Sequence, residues 1–159
     1  MNHTILTVGK IKEKYLSDAI AEYSKRLSRY CKLDIIQVQD EKTPDKPTEV
    51  QREQILEKEA SRLLPHISDK AFVIALAIDG KQLSSEQLAN YIENCGINGR
   101  SNIVWIIGGS LGISDTLLKR ADFKLSFSKM TFPHQLMRVI MLEQLYRSYR
   151  IINKEPYHK

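Results

Sequence analysis

The sequence has 159 residues, 42% of them hydrophobic and 27% charged, with a formal net charge of +5 at pH 7. Length and composition are those of one folded domain, so we expect a single domain over residues 1–159 and no second one. No apolar run is long enough for a membrane helix and no segment resembles a signal sequence, which excludes a membrane partner and indicates a cytoplasmic protein.

The first half of the chain predicts two strands and two helices. A strand covers Thr4–Val8, and a helix with one apolar face follows it. A second strand covers 33–38. Thr48 is the predicted N-cap of a helix from Glu49 to Leu64, which ends before Pro65. The apolar face of the first helix is predicted to comprise Tyr15, Leu16, Ala19, Ile20, Tyr23 and Leu27.

The second half alternates strands and helices in the same way. The run Ala71–Ile78 is almost wholly apolar, as expected of a strand that is covered on both faces, and Asp79-Gly80 is predicted to turn the chain after it. A helix capped by Ser84 or Ser85 then runs to about Asn94. The remaining predicted elements are a strand over 103–107, a short helix over 115–120, a strand over 123–127 and a long helix after Pro133.

Five strands that alternate with helices predict the α/β class, with a mainly parallel five-stranded sheet flanked by helices. Such sheets bind ligands at the carboxyl ends of their strands. Two loops stand there: Gly108–Gly112 after one strand, and Ser126–Pro133 before the long helix. The glycines fit either a tight turn or close approach of the backbone to a ligand. With an apolar strand end at Leu76, the loops suit an amphipathic ligand with an adenine ring.

Several common sites are absent from the sequence. There is no GxxxxGK[ST] motif, and Ile107 occupies the place of the first glycine of GxGxxG. Ser110 lacks the GxSxG frame of a hydrolase. The four histidines lack metal-ligand spacing, so we expect no metal. Cys31 and Cys95 lie outside any CxxC pair and are expected to be reduced thiols.

Four stretches together resemble one known family. They are Val8-Gly9-Lys10-Ile11-Lys12, Ile107–Gly112, Leu125–Arg138 and Pro156-Tyr157-His158-Lys159. In order, and over the whole chain, they are similar to the motifs of the ribosomal RNA large subunit methyltransferase H family of the SPOUT class. The long run and the terminal tail are very specific to that family, and Ile11, where leucine is usual, is a conservative departure.

The resemblance implies more than the residues alone predict. The C-terminal segment would thread a loop to form a trefoil knot, the SPOUT α/β knot, which is too rare to be proposed from a pattern. The activity would be S-adenosylmethionine-dependent methylation of N3 of a pseudouridine in 23S ribosomal RNA, by an obligate homodimer acting on the assembled ribosome. The implied cofactor-binding residues are Leu76, Gly108, Phe127, Ser128, Lys129, Met130, Thr131 and Phe132.

His134 and Arg138 are candidates for the chemistry. They lie one helical turn apart on one face of the long helix. We expect Arg138 to stabilise the anion that forms when N3 loses its proton, and His134 to position the base or accept that proton. The alternative is that both residues are structural, or that His134 caps the helix.

Tyr157 and His158 complete the predicted catalytic set. They are expected to reach over the partner subunit's cofactor pocket and stack on an unpaired base, while Arg147 and Arg150 hold the adjoining phosphates. The alternative is a frayed terminus.

The long helix carries more apolar surface than one sheet face covers, which predicts a dimer contact unless the helix is buried within one subunit. The residues concerned are Leu136, Val139, Ile140, Leu142, Leu145, Tyr146, Tyr149 and Ile152. Two rival functions remain: an RNA-binding or ribosome-assembly factor that uses only the basic surface, and an enzyme that binds a nucleotide cofactor but acts on a small substrate.

Overall fold

The apolar runs of the sequence form five strands in one parallel sheet, and this computed structural model describes residues 1–159. The strands are β1 (Asn2–Val8), β2 (Lys32–Val38), β3 (Phe72–Gln82), β4 (Asn102–Ile107) and β5 (Phe123–Ser126). The helices are α1 (Lys14–Leu27), α2 (Glu49–Leu63), α3 (Ser85–Ile97), α4 (Asp115–Arg120) and α5 (His134–Ile152), with a 3-10 turn at Leu64–His66. The strand order is β2-β1-β4-β3-β5. The predicted α/β class, with a mainly parallel sheet flanked by helices, is confirmed.

Side chains of the strands alternate between two faces, and each face packs against its own helices. Ile5 and Trp105 belong to the core on the side of α1, α3 and α5, whereas Leu6 and Ile106 belong to the core on the side of α2 and α4. All four side chains are at most 1% exposed. This double cover is why the inner strands are apolar throughout.

Two capping boxes set where α2 and α3 begin. The Thr48 side chain accepts a hydrogen bond from the Gln51 backbone N–H at 3.2 Å, and the Gln51 side chain accepts one from the Thr48 N–H at 2.9 Å. Ser84 and Gln87 make the same pair of bonds, so Ser84 rather than Ser85 is the cap of α3. These reciprocal bonds satisfy N–H groups that a helix leaves unpaired at its start, and both capping predictions are confirmed.

Strand β3 is longer than the sequence predicts. The predicted turn at Asp79-Gly80 is wrong, because β3 continues through it to Gln82, with irregular pairing to β5 between Leu76 and Lys81. A Cβ atom on Gly80 would lie 2.8 Å from the backbone of Lys124. Gly80 therefore marks a bulge at which the two strands approach closely.

The apolar surface that α5 leaves uncovered is smaller than predicted. Leu142, Leu145 and Tyr149 are core residues, 1%, 0% and 7% exposed, so at these three positions the alternative, burial within one subunit, is confirmed. Leu136 remains 36% exposed. Tyr15, which the periodicity places on the buried face of α1, is 70% exposed. None of the helices combines the length and the apolarity that a membrane span requires.

A buried histidine joins the first strand to the last helix. His3 is 0% exposed, and the indole N–H of Trp105 donates a hydrogen bond to its Nδ1 at 3.0 Å. Because an indole N–H can only donate, the proton of His3 lies on Nε2, which donates to the Tyr149 hydroxyl at 2.7 Å. Burial lowers the pKa of His3 from 6.5 to about 3, so the ring stays neutral. The three side chains tie together β1, β4 and α5.

We expect the free energy of unfolding to fall as the pH falls below 6.5. There the unfolded chain protonates His3 and the folded chain does not, so this stabilisation is complete above pH 6.5 and is lost progressively toward pH 3. Between pH 7.5 and pH 5.0 the expected loss is about 2 kcal/mol, measurable by urea unfolding.

Two variants provide the controls for this prediction. His3→Gln should be less stable at pH 7.5 but should lose less stability on acidification. His66→Gln, at an exposed histidine, should keep the full loss. Equal losses in the parent protein and in His3→Gln would show that another group carries the pH dependence.

Candidate functional site

A cavity of about 710 Å³ lies at the carboxyl ends of β3, β4 and β5. Its walls come from the bulged part of β3, from the glycine loop (residues 108–112) and from the β5–α5 loop (residues 127–133). No aspartate or glutamate lines it. Its wall includes the predicted cofactor-binding residues Leu76, Gly108, Phe127, Ser128, Met130, Thr131 and Phe132. Lys129 is the exception, since it is exposed and lies outside the wall.

The glycine loop is shaped by its own backbone. A Cβ atom on Gly108 would lie 2.3 Å from the carbonyl oxygen of Gly112, so no other residue fits there while the loop keeps this fold. Gly112 has a φ of +92°, in the left-handed region that favours glycine. The tight turn therefore accounts for these glycines, and the turned loop forms one wall of the cavity.

Arg52 of α2 also lines the cavity, and no sequence motif predicts it there. Its guanidinium donates a hydrogen bond to the carbonyl oxygen of Leu111 at 3.2 Å. Nothing in the periodicity of α2 indicates a contact with a loop that lies 59 residues farther along the chain.

Local hydrogen bonds fix the β5–α5 loop. The Ser128 hydroxyl accepts a hydrogen bond from the Met130 backbone N–H at 3.0 Å, and the Ser126 hydroxyl donates to the Ser128 carbonyl at 3.1 Å. Pro133 is the N-cap of α5 rather than its first helical residue, and no side chain caps the helix. The alternative that His134 caps α5 is therefore wrong. The helix also begins without an acidic residue in its first turn, which leaves its positive end uncompensated.

His134 stands at the edge of the cavity, at the first residue of α5. Its pKa lies below the ordinary value of 6.5, mainly because the ring is partly buried and also because the positive charge of Arg138 is near. Both effects favour the neutral imidazole, which can accept a proton at neutral pH.

Arg138 is a buried cation with no carboxylate partner. It is 2% exposed, and one of its terminal nitrogens donates to the carbonyl oxygens of Val8 and Gly9, at 2.7 and 2.8 Å. Its Nε and the other terminal nitrogen have no hydrogen-bond partner. Burial lowers its pKa from 12.5 to about 10, so the side chain stays charged at neutral pH. Arg138 does not line the cavity, and it lies one helical turn beyond His134.

The C-terminal tail packs against its own α5. The Tyr157 hydroxyl donates to Glu143 at 3.0 Å, and its ring lies 4.9 Å from that of Tyr146, edge to face. Burial and then Glu143 raise the pKa of Tyr157 to about 12. His158 lies 2.7 Å from a Glu86 carboxylate oxygen on α3. Within one subunit, neither tail residue lines the cavity.

Arg147 and Arg150 are engaged within the chain. Arg147 donates to Glu143 at 2.7 Å, and its guanidinium lies 4.7 Å from the centre of the Tyr157 ring. Arg150 donates to the Tyr30 hydroxyl at 3.0 Å and also pairs with Glu155. These contacts hold both guanidinium groups against protein partners within the subunit, and phosphate binding by the two arginines stays a prediction.

No three histidine, cysteine, aspartate or glutamate side chains lie close enough together to hold a metal ion. Both cysteines are free thiols.

Comparison with known proteins shows which family the chain is similar to. A family model described as "Predicted SPOUT methyltransferase" matches residues 1–158. A relative from Clostridium beijerinckii, named ribosomal RNA large subunit methyltransferase H, is 64% identical over 100% of both chains. A relative from Methanococcus maripaludis, provisionally given the same name, is 66% identical over the same extent. Among solved structures, a probable methyltransferase from Bordetella pertussis Tohama I shares the fold, with a TM-score of 0.53 and 8% identity over 92% of this chain and 95% of that one.

Proposed function

Because this chain belongs to the ribosomal RNA large subunit methyltransferase H family of SPOUT methyltransferases, we propose that it methylates N3 of a pseudouridine in 23S ribosomal RNA, with S-adenosylmethionine as the methyl donor. The observation that carries the proposal is the cavity at the carboxyl edge of the sheet, with a neutral imidazole at its edge and an unpaired buried guanidinium behind it. The family also implies the trefoil knot, one domain over residues 1–159 and a cytoplasmic site of action.

The residues of the cavity fit an amphipathic cofactor with an adenine ring. Leu76, Ile107 and Leu125 offer an apolar surface, and the two loops offer backbone groups and the hydroxyls of Ser128 and Thr131. The volume of about 710 Å³ is typical of such sites. When bound there, S-adenosylmethionine would supply an electrophilic methyl group on a sulfonium.

The protein's part in the reaction is to place the base and remove its proton. Methyl transfer needs the nucleophile in line with the methyl group, about 3 Å away, so positioning matters most. N3 carries a proton that must leave for the ring nitrogen to attack. The neutral imidazole of His134 is at the cavity edge and is the group we assign to accept it.

Arg138 acts on the same step from beneath. Its side chain bonds only to backbone carbonyls and not to a carboxylate, so its charge is free to stabilise negative charge that develops on the base beside His134. Its bonds to the Val8 and Gly9 carbonyls also fix the end of β1 against α5. Arg138 thus stabilises the anion through space rather than by direct contact.

Methylation of ribosomes tests the proposal directly. Purified protein, S-adenosylmethionine and ribosomes from a strain that lacks the enzyme should yield a methylated pseudouridine, identified by mass spectrometry of nucleosides. Calorimetry with S-adenosylhomocysteine should show binding. Absence of binding, with RNA binding retained, would instead support the ribosome-assembly alternative, and methylation of only a small molecule would support the other rival.

The enzyme is proposed to act as a homodimer in which each tail serves the partner's cavity. Deleting residues 157–159 should then slow ribosome methylation by about tenfold or more, since base stacking is worth roughly 1–3 kcal/mol. Cofactor binding should be unaffected.

Mixed dimers of tail-deleted and His134→Ala subunits should regain activity, because one cavity then has both an intact His134 and an intact tail from its partner. No recovery in the mixed dimers would place the tail over its own subunit's cavity, and a full rate in the deletion variant would remove it from the mechanism.

A further inference from the structure

A second cleft, of about 600 Å³, lies at the carboxyl ends of β1 and β2, beside the cavity. His134 lines both of them. Apart from Val38, the residues that line the cleft are not hydrophobic, whereas hydrophobic residues make up about half of the cavity wall. The two depressions therefore offer different chemistry on either side of one imidazole.

The polar groups of the cleft come from three separate segments. The β1–α1 loop supplies Lys10 and Lys12, the end of β2 supplies Gln37, Gln39 and Asp40, and α5 supplies Gln135. The Lys12 backbone N–H donates to the Gln135 side chain at 3.4 Å, which links two of these segments. Amides and one carboxylate can pair with the N–H and C=O groups of a base, and ammonium groups suit a phosphate.

The positive end of α5 adds to the attraction for an anion. The first turn of α5 has neither a side-chain cap nor an acidic residue. A second and independent feature is Arg138, a buried cation with two unpaired nitrogens, which is bonded to the carbonyl of Gly9 in the cleft wall. Together they make this end of the cleft favourable for negative charge.

From this arrangement we propose that the cleft is the binding site for the target nucleotide of the RNA. The phosphate lies at Lys10 and Lys12, and the base lies along the amide side chains with its reactive edge toward His134. The proposal rests on the methyltransferase function above and adds the place where the substrate is held. It also accounts for His134 lining both depressions, because the base and the methyl donor must meet beside the imidazole for methyl transfer to occur.

Calorimetric titration with uridine 5′-monophosphate at low salt, in the presence of saturating S-adenosylhomocysteine, tests the proposal. The double variant Lys10→Gln/Lys12→Gln should bind the nucleotide about tenfold or more weakly, because it loses charge-assisted contacts. The matched control is Lys14→Gln, whose side chain pairs with Asp18 on α1 at 2.7 Å and lies outside the cleft. It should bind within about twofold of the parent protein. Uridine, which lacks the phosphate, should bind the parent and the double variant equally.

The outcomes separate this proposal from the proposed function. If the parent protein binds S-adenosylhomocysteine and methylates ribosomes but does not bind uridine 5′-monophosphate at millimolar concentration, the cleft is not the nucleotide site and the methyltransferase function stands. If the double variant and Lys14→Gln weaken binding of uridine 5′-monophosphate equally, the effect comes from general surface charge and the proposal is overturned. Selective weakening by the double variant, together with slower ribosome methylation, supports it.

Discussion

Replacing His134 by alanine is expected to lower the single-turnover rate of ribosome methylation by about 10²–10⁴-fold, the usual contribution of a positioned acid or base. Burial and Arg138 keep the pKa of His134 below its ordinary value, so the imidazole is already neutral and can accept the N3 proton. The parent rate should therefore be flat at neutral pH and fall in acid, where His134 becomes protonated. The variant should lose that acid limb.

Two measurements distinguish the loss of a proton acceptor from a merely structural effect of the substitution. Affinity for S-adenosylhomocysteine should change little in His134→Ala, because the cavity has many other wall residues. His66→Ala, at an exposed histidine, should methylate at the parent rate. A variant with the parent's rate and the parent's pH profile would remove His134 from proton transfer.

Replacing Arg138 by methionine is expected to reduce the same rate by about 10²–10³-fold, as for the loss of one group that stabilises transition-state charge. Its effect on the free energy of unfolding should be modest, because two opposing contributions partly cancel. The two carbonyl oxygens of Val8 and Gly9 lose their donor, at a cost of about 1–3 kcal/mol each. Against this, the folded chain no longer holds a buried charge whose pKa is lowered to about 10, which relieves about 3 kcal/mol.

Arg138→Lys is the matched control, because lysine keeps the charge but lacks the guanidinium, one nitrogen of which donates to both carbonyls. We expect it to recover part of the rate that methionine loses. Urea unfolding and single-turnover methylation, measured on both variants, separate stability from catalysis. If Arg138→Met were severely unstable but fully active when folded, Arg138 would be structural, as the sequence-based alternative states.

The order and type of the elements follow from the sequence because strand and helix periodicities are local. The end of β3 does not follow, since Asp79-Gly80 has the composition of a turn, yet Gly80 is needed where β3 and β5 approach. Whether β3 continues through these residues depends on the neighbouring backbone of Lys124, which is distant in the sequence and so is not part of any local pattern. The same limit applies to the glycine loop, where Gly108 is required by the carbonyl of Gly112.

The sequence was enough to locate the candidate site but not to identify all the contacts of its residues. The strand ends and the resemblance identified most of the cavity wall, because a motif fixes which residues come together. The ion pair of Arg147 with Glu143, which stands one helical turn before it, has a spacing that the sequence already contains. The burial of Arg138 and its bonds to the end of β1 depend on residues about 130 positions apart, and only the fold shows them.

The bond network of His3 also has a consequence for the time at which the fold can form. β1 is the first strand to be synthesised, but it lies inside the sheet, between β2 and β4. Its second neighbour, β4, begins at Asn102, and Tyr149, which accepts from His3, comes later still. Closing such long loops is entropically costly and makes folding slow. Although β1 is synthesised first, its contacts therefore stay incomplete until almost the whole chain has emerged from the ribosome.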